Sequence, residues 1–471
     1  MGEAQASSEW PQWKRAIARE MDGQTARGVW QVVERPKGKT VLGTRVVFKH
    51  KIDKDGKIEK YKCRLVEQGF RQVKGIHYEE SSSPTPAQVS IRMELSMIAA
   101  LGWEVRQLDV DMAYLEVDVE EEIYIERPEA YRDSRKQVGL LKKAMYGLVH
   151  AGLLWSKPFG IELEAKGFQR SQADPCVFRR ILHGVVVFVI VVYVDDLLVA
   201  SATKRVEEQA VKDLCSCFPI KDLGEASYYL GCHITRDRNA GTLTLDQHQY
   251  IQTMAERFGV TKTSIIPSVA GGKALLKSDS PQTNATVEEM RQIPYQEVGG
   301  ALMWAATMTR PDTLEGQPRK RCNIYGALGT SGSPTEGNRG DETNVGGGGM
   351  MAGGAISWFS RVQKVTAAAS SESEYVALAE MLNELRFLQR VKEFMTPPID
   401  VAIKIHEDNE GALKMARNRF SSRGTRHVDI KHHIVRDATE GGLAHVEYVR
   451  SGEQLADILT KSVDVKTFEK H

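Results

Sequence analysis

The stretch VVVFVIVVYVDDLLVA, Val185 to Ala200, is the most apolar in the chain, and it carries two adjacent aspartates. β-Branched residues at this density read as strand, and burying an ionised carboxylate costs several kcal/mol unless something neutralises it. VVVFVIVVYV and LLVASA therefore predict a hairpin with Asp195 and Asp196 at its tip, where the strands leave the core. Side chains alternate along a strand, so adjacent carboxylates reach one ion only if the turn bends. QLDVDMAY supplies a third acid, Asp109, between Leu108 and Val110, as expected at the end of a buried strand. Three clustered carboxylates repel and raise one another's pKa. Two Mg²⁺ ions about 3.5–4 Å apart would neutralise them and stabilise both attacking and leaving oxygens of a phosphoryl transfer. Turns favour Asp for their own reasons, so on these residues alone a solvated turn stands beside the metal site as an alternative.

A chain of 471 residues predicts two or three domains. The opening MGEAQASSEW has neither the basic nor the apolar region of a signal peptide. The aspartate pair interrupts the valine run short of the ~18 residues a membrane span needs. Six scattered cysteines, with only Cys215 and Cys217 close together, form neither a zinc nor a redox motif. These features predict a soluble, intracellular protein with reduced thiols and no membrane partner. A net charge of +1 argues against a uniformly basic nucleic-acid binder. From Arg35 to Lys74, however, about a dozen Lys and Arg stand against four acids, a local footprint for phosphates or a hairpin with lysine on its edges.

The spacing of Trp10, Trp13, Ile17 and Met21 predicts a helix stopped at Gly23. TRVVFKHKIDKDGKIEKYKCRLVEQGF predicts a hairpin turning at Asp55-Gly56. Helices through VSIRMELSMIAALG, LLWSKPFGIELEAKG, VEEQAVKDLCSCF and His248–Phe258 mix with strands VRQLDVD, EEIYIERP, YYLGCHITRD and TLTLDQ, without a regular βαβ beat. The fold class is therefore α+β. From Thr313 to Gly354 the composition turns to Gly, Arg, Ser and Pro, which reads as a linker or unfolded insert. Patterning returns with AISWFSRVQKV, the long helix SSESEYVALAEMLNELRFLQRVKEFM, the strand DVAIKIHED, the helix NEGALKMARN and the strand AHVEYVR, a second α/β unit.

YVDDLLVA, with QLDVDMAYLEVDVEEEIYIERPEAY upstream and DLGEASYYLG downstream, resembles the reverse transcriptase of copia-type LTR retrotransposons. VWQVVERP, LKKAMYGL, ADPCVF and YQEVGGALMWAATMTRPD follow in family order. The resemblance implies a right hand of fingers, palm and thumb followed by an RNase H domain. It divides the chain into fingers and palm at 1–265, a thumb or connection remnant at 266–312, a disordered junction at 313–347, and an RNase H-like domain lacking its first strands at 348–471. Asp109, Asp195 and Asp196 then match the palm's catalytic, metal-binding aspartates. Tyr114 matches an aromatic behind the incoming sugar, and Lys62 and Arg64 match the fingers residues that hold the triphosphate. Implied substrates and partners are dNTPs, an RNA template, a DNA primer and an RNA–DNA hybrid, with two Mg²⁺ per site or Mn²⁺ in their place. The implied location is a cytoplasmic particle or the nucleus.

The second unit resembles the retrotransposon RNase H domain, whose acids also hold two Mg²⁺. Glu372 in SSESEY matches one, with Glu374 the close competitor; Asp408 in HEDNEGA and Asp457 in EQLADILTK match two more. A first aspartate is missing from its place upstream of AISW, where Asp341 lies too close to Trp358 to serve. The stretch from Thr313 to Val345 reads as a deletion or mis-joined segment, and a sheet without its first strands would leave apolar helix faces uncovered. Basic RGTRHVDIKHH, with His427, His432 and His433, matches a segment near the hybrid. In the palm, Val149, His150, Gly152 and Leu153 replace the family's Lys, Gln, Pro and Arg. Trp155 stays, as a packing residue, and AYLEV stands in place of an aromatic-Leu-Asn-Gly turn. A catalytically decayed copy that binds nucleic acid is the alternative reading.

Overall fold

The computed structural model describes residues 2–52, 58–128, 136–260, 283, 288–291, 293–311, 329–331, 344–362, 370–396, 403–417, 429–459 and 466. The Asp55-Gly56 turn, Cys322, Asp341 and residues 418–428 with His427 lie outside them. Helices α1 (Gly2–Ala6) and α2 (Trp10–Ala26) precede strands β1 (Trp30–Glu34), β2 (Val41–Leu42), β3 (Thr44–Ile52) and β4 (Ile58–Glu67). Helix α3 (Gln88–Leu101) leads to β5 (Glu104–Val110), β6 (Tyr124–Ile125) and β7 (Gln137–Leu141). Helix α4 (Ala151–Ala165) is followed by β8 (Gln169–Arg170), β9 (Val177–Leu182), β10 (Val185–Tyr193) and β11 (Asp196–Ser201). Helix α5 (Lys204–Cys215), β12 (Ile220–Glu225), β13 (Tyr228–Tyr229), β14 (Cys232–Asp237), β15 (Thr242–Asp246) and α6 (His248–Arg257) complete the first unit. The expected strand YYLGCHITRD is broken between β13 and β14, where Leu230 and Gly231 have positive φ.

The central sheet runs β12-β5-β11-β10-β9-β8. Its β10 explains the unbroken apolar run. Val189 and Val191 bury into one core with α3, while Phe188, Ile190 and Val192 bury into another with Trp13 and Ile17 of α2 and Trp155 and Phe159 of α4. A strand covered on both faces needs no polar alternation, and each such side chain contributes about 1.5–3 kcal/mol on burial. Strands β3 and β4 pair antiparallel. Helix α2 runs past Gly23, where the sequence reading placed its end. A Cβ on Gly23 would lie 2.8 Å from Met112 Cε, so glycine serves close packing there and not a helix stop.

Helix α7 (Tyr295–Met308) lies in the expected connection. The second unit comprises β16 (Gly329–Ser331), β17 (Asn344–Met351), β18 (Gly354–Val362), α8 (Ser370–Met395), β19 (Ile403–Glu407), α9 (Glu410–Arg417), α10 (Asp429–Glu440) and β20 (Ala444–Tyr448). Part of the glycine-rich stretch read as unfolded is therefore strand. β16, β17 and β18 form an antiparallel sheet, with Gly348 opposite Trp358. Glycine weakens a strand, but its backbone still pairs, and apolar periodicity is blind to that. Helix α10 falls partly on the basic segment and had no apolar signal of its own.

Helix α3 is buried all round, including Ser90, Arg92 and Glu94, because the second unit covers the side facing away from the palm sheet. Tyr375, Val376 and Leu378 of α8 belong to the same core as Val89 and Ile91. The apolar face expected to lie uncovered is thus packed against the palm. The Arg92 guanidinium donates to the carbonyls of Ile356 (2.5 Å) and Thr307 (3.0 Å) and lies 4.0 Å from the Trp358 ring, while the Trp358 indole donates to Ala306 at 2.7 Å. No helix among the described residues is long and apolar enough to cross a membrane.

Candidate active site

Strands β10 and β11 meet at the pair Tyr193–Asp196, leaving Val194 and Asp195 as a two-residue turn. Val194 has φ +59°, a left-handed conformation that a β-branched residue adopts only under constraint. Two bonds supply that constraint. The Trp155 indole N–H donates to the Val194 carbonyl at 2.8 Å, and the Val110 N–H donates to the Asp195 carbonyl at 2.8 Å. Trp155 is itself locked between Phe159 and Phe218, with ring centroids 4.9 and 5.1 Å away. The sequence reading gave Trp155 packing alone; the bond to the turn is a role it missed.

Asp196 lies directly opposite Asp109 in the β11–β5 register, so their side chains share one face with Cβ atoms about 4.5–5.5 Å apart. Lys221 of β12 flanks Asp109 on its other side. The bent turn directs Asp195 toward the fingers, where its Oδ2 lies 3.7 Å from Arg64. The structure thus brings Asp109, Asp195 and Asp196 to one end of the sheet. Their ligand oxygens do not all close to within 4.8 Å, a spacing reached among the described residues by another group. Three hard oxygen donors at an accessible sheet end suit Mg²⁺ or Mn²⁺.

Arg64 projects from β4 with Lys62 on the same face two residues away. Its guanidinium lies 4.2 Å from the Tyr146 ring, which packs 5.1 Å from Tyr114. Burial pushes the Tyr146 and Tyr114 hydroxyls upward, and the Asp195 charge adds to both. Glu20 of α2, which the sequence reading did not single out, is buried beneath the fingers strand and accepts from the Leu65 N–H at 3.1 Å. Burial raises its pKa, opposed by that bond, by Gln24, and by Arg64 and Lys62.

The departures at 149–153 have structural partners. A Cβ on Gly152 would lie 2.8 Å from Ser83 Oγ and 3.9 Å from the Tyr114 hydroxyl, so a larger residue there would crowd the site. The Val149 N–H donates to Gln72 Oε1 at 2.7 Å. His150 is 2% exposed, stacked on Tyr78 at 5.9 Å, with Nε2 3.6 Å from Glu121. Burial lowers its pKa and Glu121 partly restores it.

In the second unit, ligand oxygens of Glu374, Glu407 and Asp408 all lie within 4.8 Å of one another. Of the acids matched from sequence, Asp408 belongs to this group. Glu374, the competitor, belongs to it as well, while Glu372 and Asp457 are buried and lie outside it. Two positions apart on a helix, Glu372 and Glu374 face different sides. Glu407 was missed, although HEDNEGA shows two adjacent acids. Burial, then the charges of Glu374 and Asp408, push the Glu407 carboxyl up to about 9.

The family model for reverse transcriptase (RNA-dependent DNA polymerase) matches residues 27–270, the span that carries this palm. The chain belongs to that reverse transcriptase family. Its relatives are Pol polyproteins of copia-like transposons. The Retrovirus-related Pol polyprotein from transposon TNT 1-94 of Nicotiana tabacum is 32% identical over 97% of this chain, and that from transposon RE1 of Arabidopsis thaliana is 28% identical over 97%. This reverse transcriptase chain spans 37% and 33% of their respective lengths. A solved foamy viral protease–reverse transcriptase, in complex with double-stranded DNA, aligns with a TM-score of 0.45 and 12% identity, over 93% of this chain and 70% of that one.

Proposed function

We propose that this chain is an RNA-directed DNA polymerase of a copia-like retrotransposon, extending a DNA primer on an RNA template from dNTPs inside the cell. The observation that carries the proposal is the direct opposition of Asp196 and Asp109, with Asp195 bound beside them through its carbonyl to Val110. Asp109, Asp195 and Asp196 would hold two Mg²⁺, or Mn²⁺. When bound, these ions supply charge stabilisation for the attacking 3′ oxygen and the departing pyrophosphate.

The chain's own groups do the rest. Arg64, with the forked geometry suited to phosphate, and Lys62 meet the triphosphate from the fingers. Tyr114, held by Tyr146 and facing Gly152 across Ser83, forms the wall against which the sugar seats. Trp155 keeps the strained turn in place, so Asp195 and Asp196 hold their relative orientation without substrate. The second unit is RNase H-like and lacks the first of the family's acids, so hybrid cleavage by it is impaired.

Primer extension on poly(rA) with an oligo(dT) primer and Mg²⁺ or Mn²⁺ tests the reading, against the same chain carrying Asp195→Asn and Asp196→Asn. Activity in the first and loss in the second supports it; equal signals refute it. The burial of His150 where the family has glutamine favours the competing reading, a decayed copy that binds primer-template and adds no nucleotide.

A further inference from the structure

We propose that Arg27 is a positioning residue for selection of the nucleotide sugar: from the end of α2 it brackets the turn 111–116 and so fixes where the Tyr114 ring stands. The inference rests on the polymerase reading and deepens it, because that reading makes Tyr114 the wall for the sugar and this one names what holds the wall's backbone.

The turn needs holding. Beyond β5 the chain passes through Met112 at φ +54°, a left-handed conformation for a bulky residue, and then through one short 3-10 turn, Ala113–Glu116. Such a conformation persists only where the surroundings over-determine it. Ala113 and Leu115 bury into the core shared with Trp13 and Met21 of α2. Tyr114 between them is half-buried and packs on Tyr146, so its position follows that of the turn.

Arg27 supplies the bracket. It follows the last residue of α2, and its guanidinium uses three nitrogens on three acceptors. Nε donates to Glu116 Oε1 at 2.7 Å, Nη2 to Asp111 Oδ2 at 3.2 Å, and Nη1 back to the Gly23 carbonyl at 3.4 Å. The two acids stand at opposite ends of the turn, one on each side of Tyr114. Gly23 leaves the room that the Met112 side chain fills, so helix and turn meet closely at both the apolar and the charged contact. An exposed ion pair contributes little, but the Arg27 and Glu116 side chains are only 21% and 22% exposed. The rigid fork of arginine, which lysine lacks, can hold both acids at once. A turn fixed in this way keeps the ring from yielding to a sugar that carries an added 2′-hydroxyl.

The test offers dTTP and UTP separately to the full chain on poly(rA) with an oligo(dT) primer. The ratio of kcat/KM for dTTP to that for UTP is read for each variant; both come from one preparation, so a smaller folded fraction cancels. Arg27→Met and Glu116→Met should each lower the ratio about tenfold or more, within the range that a misplaced positioning group commands. Combining them should add little, because the two residues act as one unit. Arg27→Lys, which keeps the charge and loses the fork, should fall with Arg27→Met. Arg35→Met removes another ion pair, with Glu126 at 2.6 Å, and should leave the ratio within about twofold. A ratio unchanged in Arg27→Met, or lowered as much by Arg35→Met, would overturn the proposal. Fluorotyrosine labelling separates it from the polymerase reading. The fluorine resonance of Tyr114, assigned by its absence from Tyr114→Phe, should shift in Arg27→Met and Glu116→Met. A parent that extends no primer would refute the polymerase reading while the resonance still decides the bracket, and a resonance that neither variant moves would refute the bracket alone.

Discussion

The Trp155 indole and the Val194 carbonyl form a 2.8 Å hydrogen bond that ties a helix of the palm to a left-handed valine beside the paired aspartates. Trp155→Phe keeps the ring packing against Phe159 and Phe218 and removes the donor. The expected loss of stability is about 1–2 kcal/mol, read from urea unfolding. Because the freed turn is strained, primer extension should fall more in kcat than in KM for dTTP. A variant that loses stability but keeps kcat would reduce Trp155 to a packing residue.

Arg64 meets Asp195 at 3.7 Å and rests on Tyr146. Arg64→Lys preserves charge and loses the planar fork. KM for dNTP is expected to rise about tenfold, the effect of roughly 1.4 kcal/mol of lost binding, with a smaller change in kcat. Steady-state kinetics at varied dTTP measures the split.

Arg92→Met leaves the carbonyls of Thr307 and Ile356 without this donor at a buried junction. Leaving buried acceptors unsatisfied costs about 1–3 kcal/mol each, so the variant should lose several kcal/mol in total. Because Arg92 joins palm, connection helix and second unit, hydrogen exchange should accelerate first in β18. Unchanged exchange there would show that the two units are coupled without it.

Glu67, at the end of β4 and 2% exposed, has its carboxyl raised by burial from the usual 4.5 to about 7. The folded state therefore keeps a proton that the unfolded chain releases. This contribution to stability is full below about pH 4.5, declines as pH rises from about 4.5 to about 7, and is flat above that. The total is on the order of 3 kcal/mol. Urea unfolding of Glu67→Gln across that range should lack this decline, and a parallel pH dependence in parent and variant would contradict it.

The palm was legible from sequence because its signals are local and strong. The valine run marked the central strand, and its lack of alternation follows from burial on both faces. The separation of Asp109 from the hairpin by many residues was bridged by family order; strand register supplied the contact itself. What stayed hidden depended on partners distant in the chain. Arg92 looks like one exposed charge on an amphipathic helix until α7 and β18 cover it. Gly23 looks like a stop until Met112 occupies the space beside it. The glycines of β17 carry no side chains to report their pairing with β18. The grouping of Glu374 with Glu407 and Asp408 depends on which face of α8 meets the end of β19, and spacing along the chain does not tell that.

Single-turnover incorporation of dTTP by Asp109→Asn, Asp196→Asn and the two combined tests most directly whether these opposed acids work as one unit. Each single change should slow the reaction on the order of 10³-fold or more, and the combination should add little, because residues that act together are not additive. An Asp109→Asn chain that incorporates nucleotide near the parental rate would contradict the account.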